Sequence, residues 1–294
     1  MNIDPLVSIL VPAYNHEAFV QVCLDSIRVA ACCPVELLVL DDGSSDRTYQ
    51  VVDRWIKENQ QLFTRCHLEK RNRFGVTKNL NYLCSLAKGK YILWIASDDI
   101  LQPNAISGRL PLFDESDVDV VIGDATIIDA EGKVLSDSAM RDSHHANVDR
   151  LTERSRITSV LLKKWYVPGP CLMFRRTMLD TVGELDESLM AEDRDFFLRI
   201  LAKPRTAYVN YPVAGYRKHG TNTSTSSPFM SRVRLDVYWS NWHNAGLYRG
   251  LPGIYLSTYR FDWWMLRLFA KFPKAAFYAS APSILLRYLL GIFF

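Results

Sequence analysis

The first hundred residues alternate between short apolar runs and amphipathic stretches, the pattern of strands and helices taken in turn. Leu6 to Val11 is a buried-strand run stopped by Pro12, and Phe19 to Val29 carries Phe19, Val22, Cys23 and Ile27 at helical spacing. Val35 to Leu40 is a second apolar strand. A helix from about Asp46 to Lys57 follows, with Val51, Val52, Trp55 and Ile56 on one side. Thr64 to Leu68 predicts a third strand, Val76 to Ala87 a helix and Tyr91 to Ala96 a fourth strand. Strands that read as continuous apolar runs, separated by helices, predict a parallel sheet covered on both faces.

The fourth run, YILWIASDD, ends abruptly in Ser97, Asp98 and Asp99. Core packing does not account for two adjacent carboxylates there, because an unpaired charge in an apolar interior is costly without a cation or strong hydrogen bonds. In open α/β sheets, ligands gather at the carboxyl ends of the strands. The second strand also ends in acids, Asp41-Asp42-Gly43-Ser44-Ser45-Asp46. An Asx turn capping the next helix, through Ser45 or Asp46, explains part of that run. A strand-end carboxylate would equally accept the imide N–H of uracil or thymine.

Beyond the SDD, Leu101 to Phe113 has the composition of a helix with Pro103 in its first turn. Val118 to Gly123 and Ala125 to Asp129 predict two strands, with a turn at Glu131-Gly132. Residues 136 to 156 are polar without a sustained period, which suits a mobile surface loop or an acceptor-side flap. A helix over Ile157 to Trp165, the Pro168-Gly169-Pro170 turn, a strand over Cys171 to Phe174, a helix from about Glu192 and a strand over Tyr208 to Tyr216 complete this half. His219 to Ser227 is a loop. After Phe229 come two or three helical stretches broken near Gly250 to Gly253 and at Pro273 and Pro282. No internal repeat is present, and no apolar run reaches the ~18 residues of a membrane span.

Composition adds little to this picture except at the end of the chain. The 294 residues carry a formal charge of only +3, which points to neither nucleic-acid binding nor disorder. From Ser231 onward, however, eight Lys/Arg face two Asp/Glu, and roughly 16 aromatics lie there. RFDWWMLRLFAKF puts Phe261, Trp264, Leu268 and Phe272 near helical spacing among Arg260, Arg267, Lys271 and Lys274. Such a stretch suits an anionic membrane surface, or equally the covering of another domain or a homo-oligomer contact. The six cysteines have neither zinc-site spacing nor the density of a disulfide scaffold, so reduced thiols in a cytoplasmic protein are expected. The N-terminus enters the first strand without a secretory pattern.

Taken in order, VSILVPAYN, LLVLDDGSSDRT, NRFGVTKNLNYLCSLAKGKYILWIASDD and VGELDESLMAEDRDFFLRI resemble the family 2 inverting glycosyltransferases of the GT-A fold, over roughly residues 6 to 220. The resemblance implies an α/β fold with a Rossmann-like, mostly parallel sheet and a C-terminal helical, aromatic-rich extension. Residues 1–228 would form the catalytic domain, with a nucleotide-sugar half to about 100 and an acceptor half beyond it, and 229–294 the basic tail. It implies a UDP-sugar donor, or second a dTDP-sugar, a glycan or lipid-linked acceptor, and Mn²⁺ or Mg²⁺ to take up charge on the departing diphosphate. Localisation would be cytoplasmic, peripheral on the inner face of the membrane if the tail binds lipid.

Residue by residue, Pro12, Ala13 and Tyr14 match the segment lining the nucleotide pocket, and Asp41 and Asp42 match the acids beside the uracil. Asp98 and Asp99 match the DxD-type motif, with Asp99 expected on the metal and Asp98 on the ribose or assisting the metal. Asp193 matches the acceptor base, with Glu192 its neighbour, although acids also collect at any helix N-terminus. His219 stands where several members place a further metal ligand; a solvated loop histidine is the alternative. Many relatives have Arg-Asn where this chain has Lys78-Asn79, so the cation beside the nucleotide or diphosphate is Lys78, Arg71 or Arg73. Trp165 and Tyr166 precede the turn where the acceptor is expected, as sugar-stacking or core aromatics. Two rivals are a nucleotidyltransferase, disfavoured because PAYNHEAF after the first strand has no glycine-rich phosphate loop, and a non-catalytic nucleotide- or glycan-binding relative.

Overall fold

The computed structural model describes residues 4, 6–115, 117–143, 145–163, 167–203, 205–220 and 227–293. The apolar runs form β1 (Val7–Ala13), β2 (Val35–Asp41) and β4 (Tyr91–Trp94), the more polar third strand is β3 (Arg65–Lys70), and α1 (Val20–Ala30), α2 (Thr48–Asn59) and α3 (Val76–Leu86) connect them. All seven residues of β2 and all four of β4 are buried, as strands covered on both faces must be. These four strands are parallel in the order β3-β2-β1-β4. The order therefore reverses between β1 and β4, and the crevice at their carboxyl ends is where such sheets bind ligands. The opposite end is fixed by buried Glu36, which accepts hydrogen bonds from Ser8 Oγ at 2.6 Å and Gly89 N at 3.1 Å and pairs with Arg65 at 3.3 Å.

β5 (Ile100–Leu101), β6 (Val120–Ile128), β7 (Val134–Ser136), β8 (Leu172–Arg175) and β9 (Thr206–Arg217) extend the sheet past β4 in the order β8-β6-β9-β5, with β7 on β6. β6 and β9 run parallel, whereas the pairings of β4 with β8, β8 with β6 and β5 with β9 are antiparallel. β5 pairs Ile100 with Gly215, and a Cβ on Gly215 would lie 2.7 Å from Ile100 Cγ1. The missing side chain lets the residues after the SDD lie against the end of β9, and so sets Arg217 and His219 beside that motif.

Three sequence expectations change in this region. Leu101 to Phe113 is no continuous helix: after β5 it forms successive turns and a 3-10 helix at Leu110–Asp114, where Pro111 removes a donor and Gln102 N bonds to Val213 O instead. The two strands expected between 118 and 129 are one, β6, with register shifts about Asp124. Gly123 does not end it, because its bare Cα admits Val213, whose Cγ2 would sit 2.6 Å from an added Cβ. Finally, the described residues of 136–143 and 145–156 pack on the sheet rather than standing off it. Buried Asp124 accepts hydrogen bonds from Ser138 Oγ and from Met140 N at 3.1 Å, and Met140, Val148 and Leu151 are buried.

The chain divides into two compact units. One comprises 1–157, 166–184 and 205–219, the other 158–165, 185–204 and 220–294. The second unit holds most of α4 (Arg154–Lys163), all of α6 (Glu192–Leu201), and α7 (Ser227–His243), α8 (Leu251–Ser257), α9 (Tyr259–Leu268), α10 (Pro273–Ala279) and α11 (Ala281–Ile292); α5 (Met178–Val182) belongs to the first. α6 shares a unit with the C-terminal helices, around Leu162, Leu198, Ala245, Tyr255 and Leu256. The breaks at Gly250, Pro273 and Pro282 fall where expected, and each proline lies in the first turn of its helix, where its missing N–H costs nothing.

Candidate active site

At the end of β2, Asp41 and Asp42 divide their work. Asp41 is fully buried; its Oδ1 accepts from Gly43 N at 3.2 Å and Ser44 N at 2.9 Å, while Oδ2 has no hydrogen-bond partner among the described residues. A buried carboxylate oxygen left open is expensive unless a ligand fills it. Both oxygens of Asp42, in contrast, are engaged, by Phe74 N at 2.7 Å and Gly75 N at 3.0 Å. They fix the loop after β3, where Gly75 at φ +92° and Arg73 at φ +32° adopt left-handed backbone. That loop places the Arg73 guanidinium 5.0 Å from the centre of the Tyr14 ring. Arg71 is committed to Glu69 at 2.8 Å and to the Tyr82 ring at 3.4 Å, and Lys78 is exposed on α3. Ala13 is buried at the end of β1, its carbonyl accepting from Asp42 N at 2.8 Å, and Pro12 is half-buried.

Between the ends of β1, β4 and β9 lies a cluster of two histidines and a carboxylate. Nε2 of His219 stands 2.9 Å from Oδ2 of Asp98, and Nε2 of His16 lies 3.7 Å from the same oxygen. One candidate ligand atom from each lies within 4.8 Å of the others, a spacing suited to one cation. Nδ1 of His16 is 2.8 Å from Ser97 Oγ, an outer contact that orients the ring and turns Nε2 toward Asp98. Burial lowers the His16 pKa, partly opposed by Asp98 and reinforced by His219, which favours the neutral ring a cation would need. Phe19 packs at 4.6 Å from the His219 ring, and Arg217 lies 5.1 Å from the centre of Phe19.

Asp99 is turned away from this cluster. Its Oδ1 accepts the backbone N–H of Arg217 at 2.8 Å, and burial with the neighbouring Asp98 charge pushes its carboxyl well up, against the pull of Arg217. Arg217 Nε donates to Asp98 O at 2.7 Å. Of the two acids expected on the metal and on the ribose or beside the metal, Asp98 faces the imidazoles and Asp99 bonds to β9. His219 lies against Asp98. His16 was not anticipated; its one sequence signal is a histidine in the turn leaving β1, at the ligand end of the sheet.

In the second unit, Glu192 and Asp193 begin α6, where the helix dipole favours acids. Asp193 is exposed, and Glu192 is half-buried, its carboxyl pushed up to about 8 by burial and then by the Asp193 charge. The next two residues anchor them. Arg194 is buried and donates to Asn241 Oδ1 at 3.0 Å and to the carbonyls of Leu161 and Leu162 at 3.2 and 3.1 Å. Asp195 accepts from Asn244 Nδ2 at 2.7 Å and pairs with Arg199 at 2.9 Å. Replacing Arg194 with Ala leaves these acceptors unmet and should cost about 2 to 4 kcal/mol in denaturant unfolding. Trp165 and Tyr166, the expected acceptor aromatics, lie outside the described residues.

Residues 8–183 match the family model for glycosyl transferase family 2. Over 240 residues the chain is 26% identical to a PGL/p-HBAD biosynthesis glycosyltransferase of Mycobacterium tuberculosis, spanning 79% of this chain and 86% of that protein. Over 118 residues it is 32% identical to glycosyltransferase GlyG of Streptococcus pneumoniae serotype 4, spanning 40% of this chain and 38% of that one. Among solved structures, S. aureus TarS 1–349 in complex with UDP-GlcNAc superposes with a TM-score of 0.63 at 20% identity, over 87% of this chain and 71% of that chain. The mannosyltransferase PcManGT from Pyrobaculum calidifontis, in complex with GDP-Man and Mn²⁺, gives 0.61 at 16% identity, over 98% and 76%. At these identities the solved structures establish a shared fold.

Proposed function

The chain belongs to glycosyl transferase family 2 and has the GT-A fold, and on that premise we propose that it transfers a sugar from UDP to a hydroxyl of a glycan or lipid-linked acceptor, with inversion. The observation that carries the donor reading is the open oxygen of Asp41. Because Oδ1 is already held by Gly43 and Ser44, one buried acceptor is left, which matches the single imide N–H of uracil. Guanine presents two adjacent donors on the same edge and would leave one unmet. Thymine shares the imide, so a dTDP-sugar is the second choice. Tyr14 and Arg73 form a wall beside the base, and Arg73 supplies the nearby cation in place of Lys78.

His16, Asp98 and His219 are the residues that would hold a divalent cation, and their nitrogen-rich donor set favours Mn²⁺ over Mg²⁺. When bound, the cation would offset the charge gathering on the departing diphosphate. Ser97 orients His16, and Asp99 with Arg217 holds Asp98 in place. Asp193 is the base that takes the acceptor's proton, while Glu192 stays protonated at neutral pH beside it. The catalytic domain extends to about residue 228 in this reading, so α6 belongs to its acceptor half.

Calorimetry with UDP, dTDP and GDP tests the donor assignment. UDP should bind at least tenfold more tightly than GDP, and Asp41→Asn, which replaces the acceptor or faces the base with an amide donor, should weaken UDP by about 1 to 3 kcal/mol. Preference for GDP, or an unchanged affinity in Asp41→Asn, would overturn the base assignment.

A further inference from the structure

Helix α11 is inside out. Its polar residues Ser283 and Arg287, one turn apart, are buried, while Leu285, Tyr288, Leu289, Ile292 and Phe293 are between 47 and 73% exposed. The inward pair has a specific purpose: Arg287 forms an ion pair with Asp262 of α9 at 2.5 Å and lies 4.1 Å from the Tyr259 ring centre, and the Ser283 hydroxyl donates to Asp262. α9 and α10 repeat the outward pattern with exposed Trp264, Leu268, Phe277 and Tyr278, and Phe272 stands exposed between them. A helix facing water shows the reverse arrangement, and exposed apolar surface on this scale marks contact with another phase or molecule. These helices are not a loose tail, since Lys163 Nζ donates to Gly291 O at 2.7 Å and Leu290 packs on the core of the second unit.

Charge selects the occupant. After Asp236 the one acid is Asp262, which is fully buried and neutralised by Arg287. Arg260, Arg267, Lys271 and Lys274 are all exposed. The outward surface therefore carries apolar groups and positive charge with no exposed acid among them. A symmetric contact with the same surface of a second copy would bring like charges together with nothing to pair them. An anionic bilayer supplies phosphates for Lys and Arg, hydrocarbon for Leu and Phe, and a boundary layer for Trp and Tyr. We infer that the outer surface of α9, α10 and α11 docks on an anionic lipid bilayer. It lies on the membrane and does not span it: α11, the longest of the three, has 12 residues, about 18 Å at ~1.5 Å per residue against a core of about 30 Å. No helix of the described residues is long and apolar enough to cross.

The test is flotation of the full chain with phosphatidylcholine vesicles, with and without about 30% phosphatidylglycerol, at low and high salt. Binding should require the anionic lipid and weaken in high salt. Lys271→Glu with Lys274→Glu should reduce it roughly tenfold or more, and Leu285→Ser with Leu289→Ser should also reduce it, each at an unchanged melting temperature because all four residues are exposed. Equal binding to neutral vesicles, or none to anionic vesicles at low salt, would overturn the proposal. So would a lipid-free dimer that the two Leu→Ser changes dissociate without any vesicle binding, which would assign the surface to a second copy. Vesicle binding needs no sugar nucleotide, so this outcome is independent of the donor reading.

Discussion

Asp193→Asn is expected to lower sugar transfer by about 10² to 10⁴ while UDP affinity stays within a few-fold of the wild type. Asn has the shape of Asp but cannot take a proton, so the loss should fall on kcat. Glu192→Gln makes the contrasting case. Because burial and the Asp193 charge hold the Glu192 carboxyl protonated up to about pH 8, glutamine imitates its neutral form and should keep transfer within a few-fold at pH 7. Above that pH the wild type gains a second negative charge beside Asp193, which raises the basicity of Asp193. The wild-type pH profile should therefore change slope near pH 8, and Glu192→Gln should remove that change. Full activity in Asp193→Asn would move the base elsewhere.

Asp98→Ala is expected to reduce transfer by about 10³ or more, because loss of a cation's transition-state charge stabilisation is worth several kcal/mol. Asp98 is the carboxylate of the three-residue cluster, and without it two imidazoles remain. UDP binding should lose its dependence on Mn²⁺ in the same variant. Asp99→Asn should be milder, since its amide oxygen can still accept the Arg217 N–H that Asp99 accepts now. If Asp99→Asn proved the more damaging of the two for Mn²⁺-dependent UDP binding, the assignment of Asp98 would be contradicted.

Much of the fold was visible in the order of apolar runs. Three apolar strands buried on both faces, alternating with helices, leave little choice but a covered parallel sheet, and the acids at the ends of β2 and β4 stand out because nothing in a core explains them. Which of two adjacent carboxylates turns inward was not visible. That is decided by Arg217, 118 residues from Asp99 in the chain, whose backbone N–H claims the second of the pair. His16 escaped notice for a similar reason: a turn histidine gains meaning only once β9 brings His219 to the same oxygen of Asp98. The reading of 101–113 as a helix failed because β9 takes the backbone of Leu101 and Gln102 first. For α11, periodicity reveals that one side differs from the other but not which side faces the protein; the buried Asp262–Arg287 pair decides that.

The most direct test of glycosyl transfer at this site is UDP release from a panel of UDP-sugars, including UDP-GlcNAc, in Mn²⁺ and in chelator. Turnover of at least one UDP-sugar in Mn²⁺, its loss in chelator and its loss in Asp98→Ala is the predicted result. Undiminished turnover in chelator, or pyrophosphate formed from a sugar phosphate and UTP in place of UDP release, would contradict it.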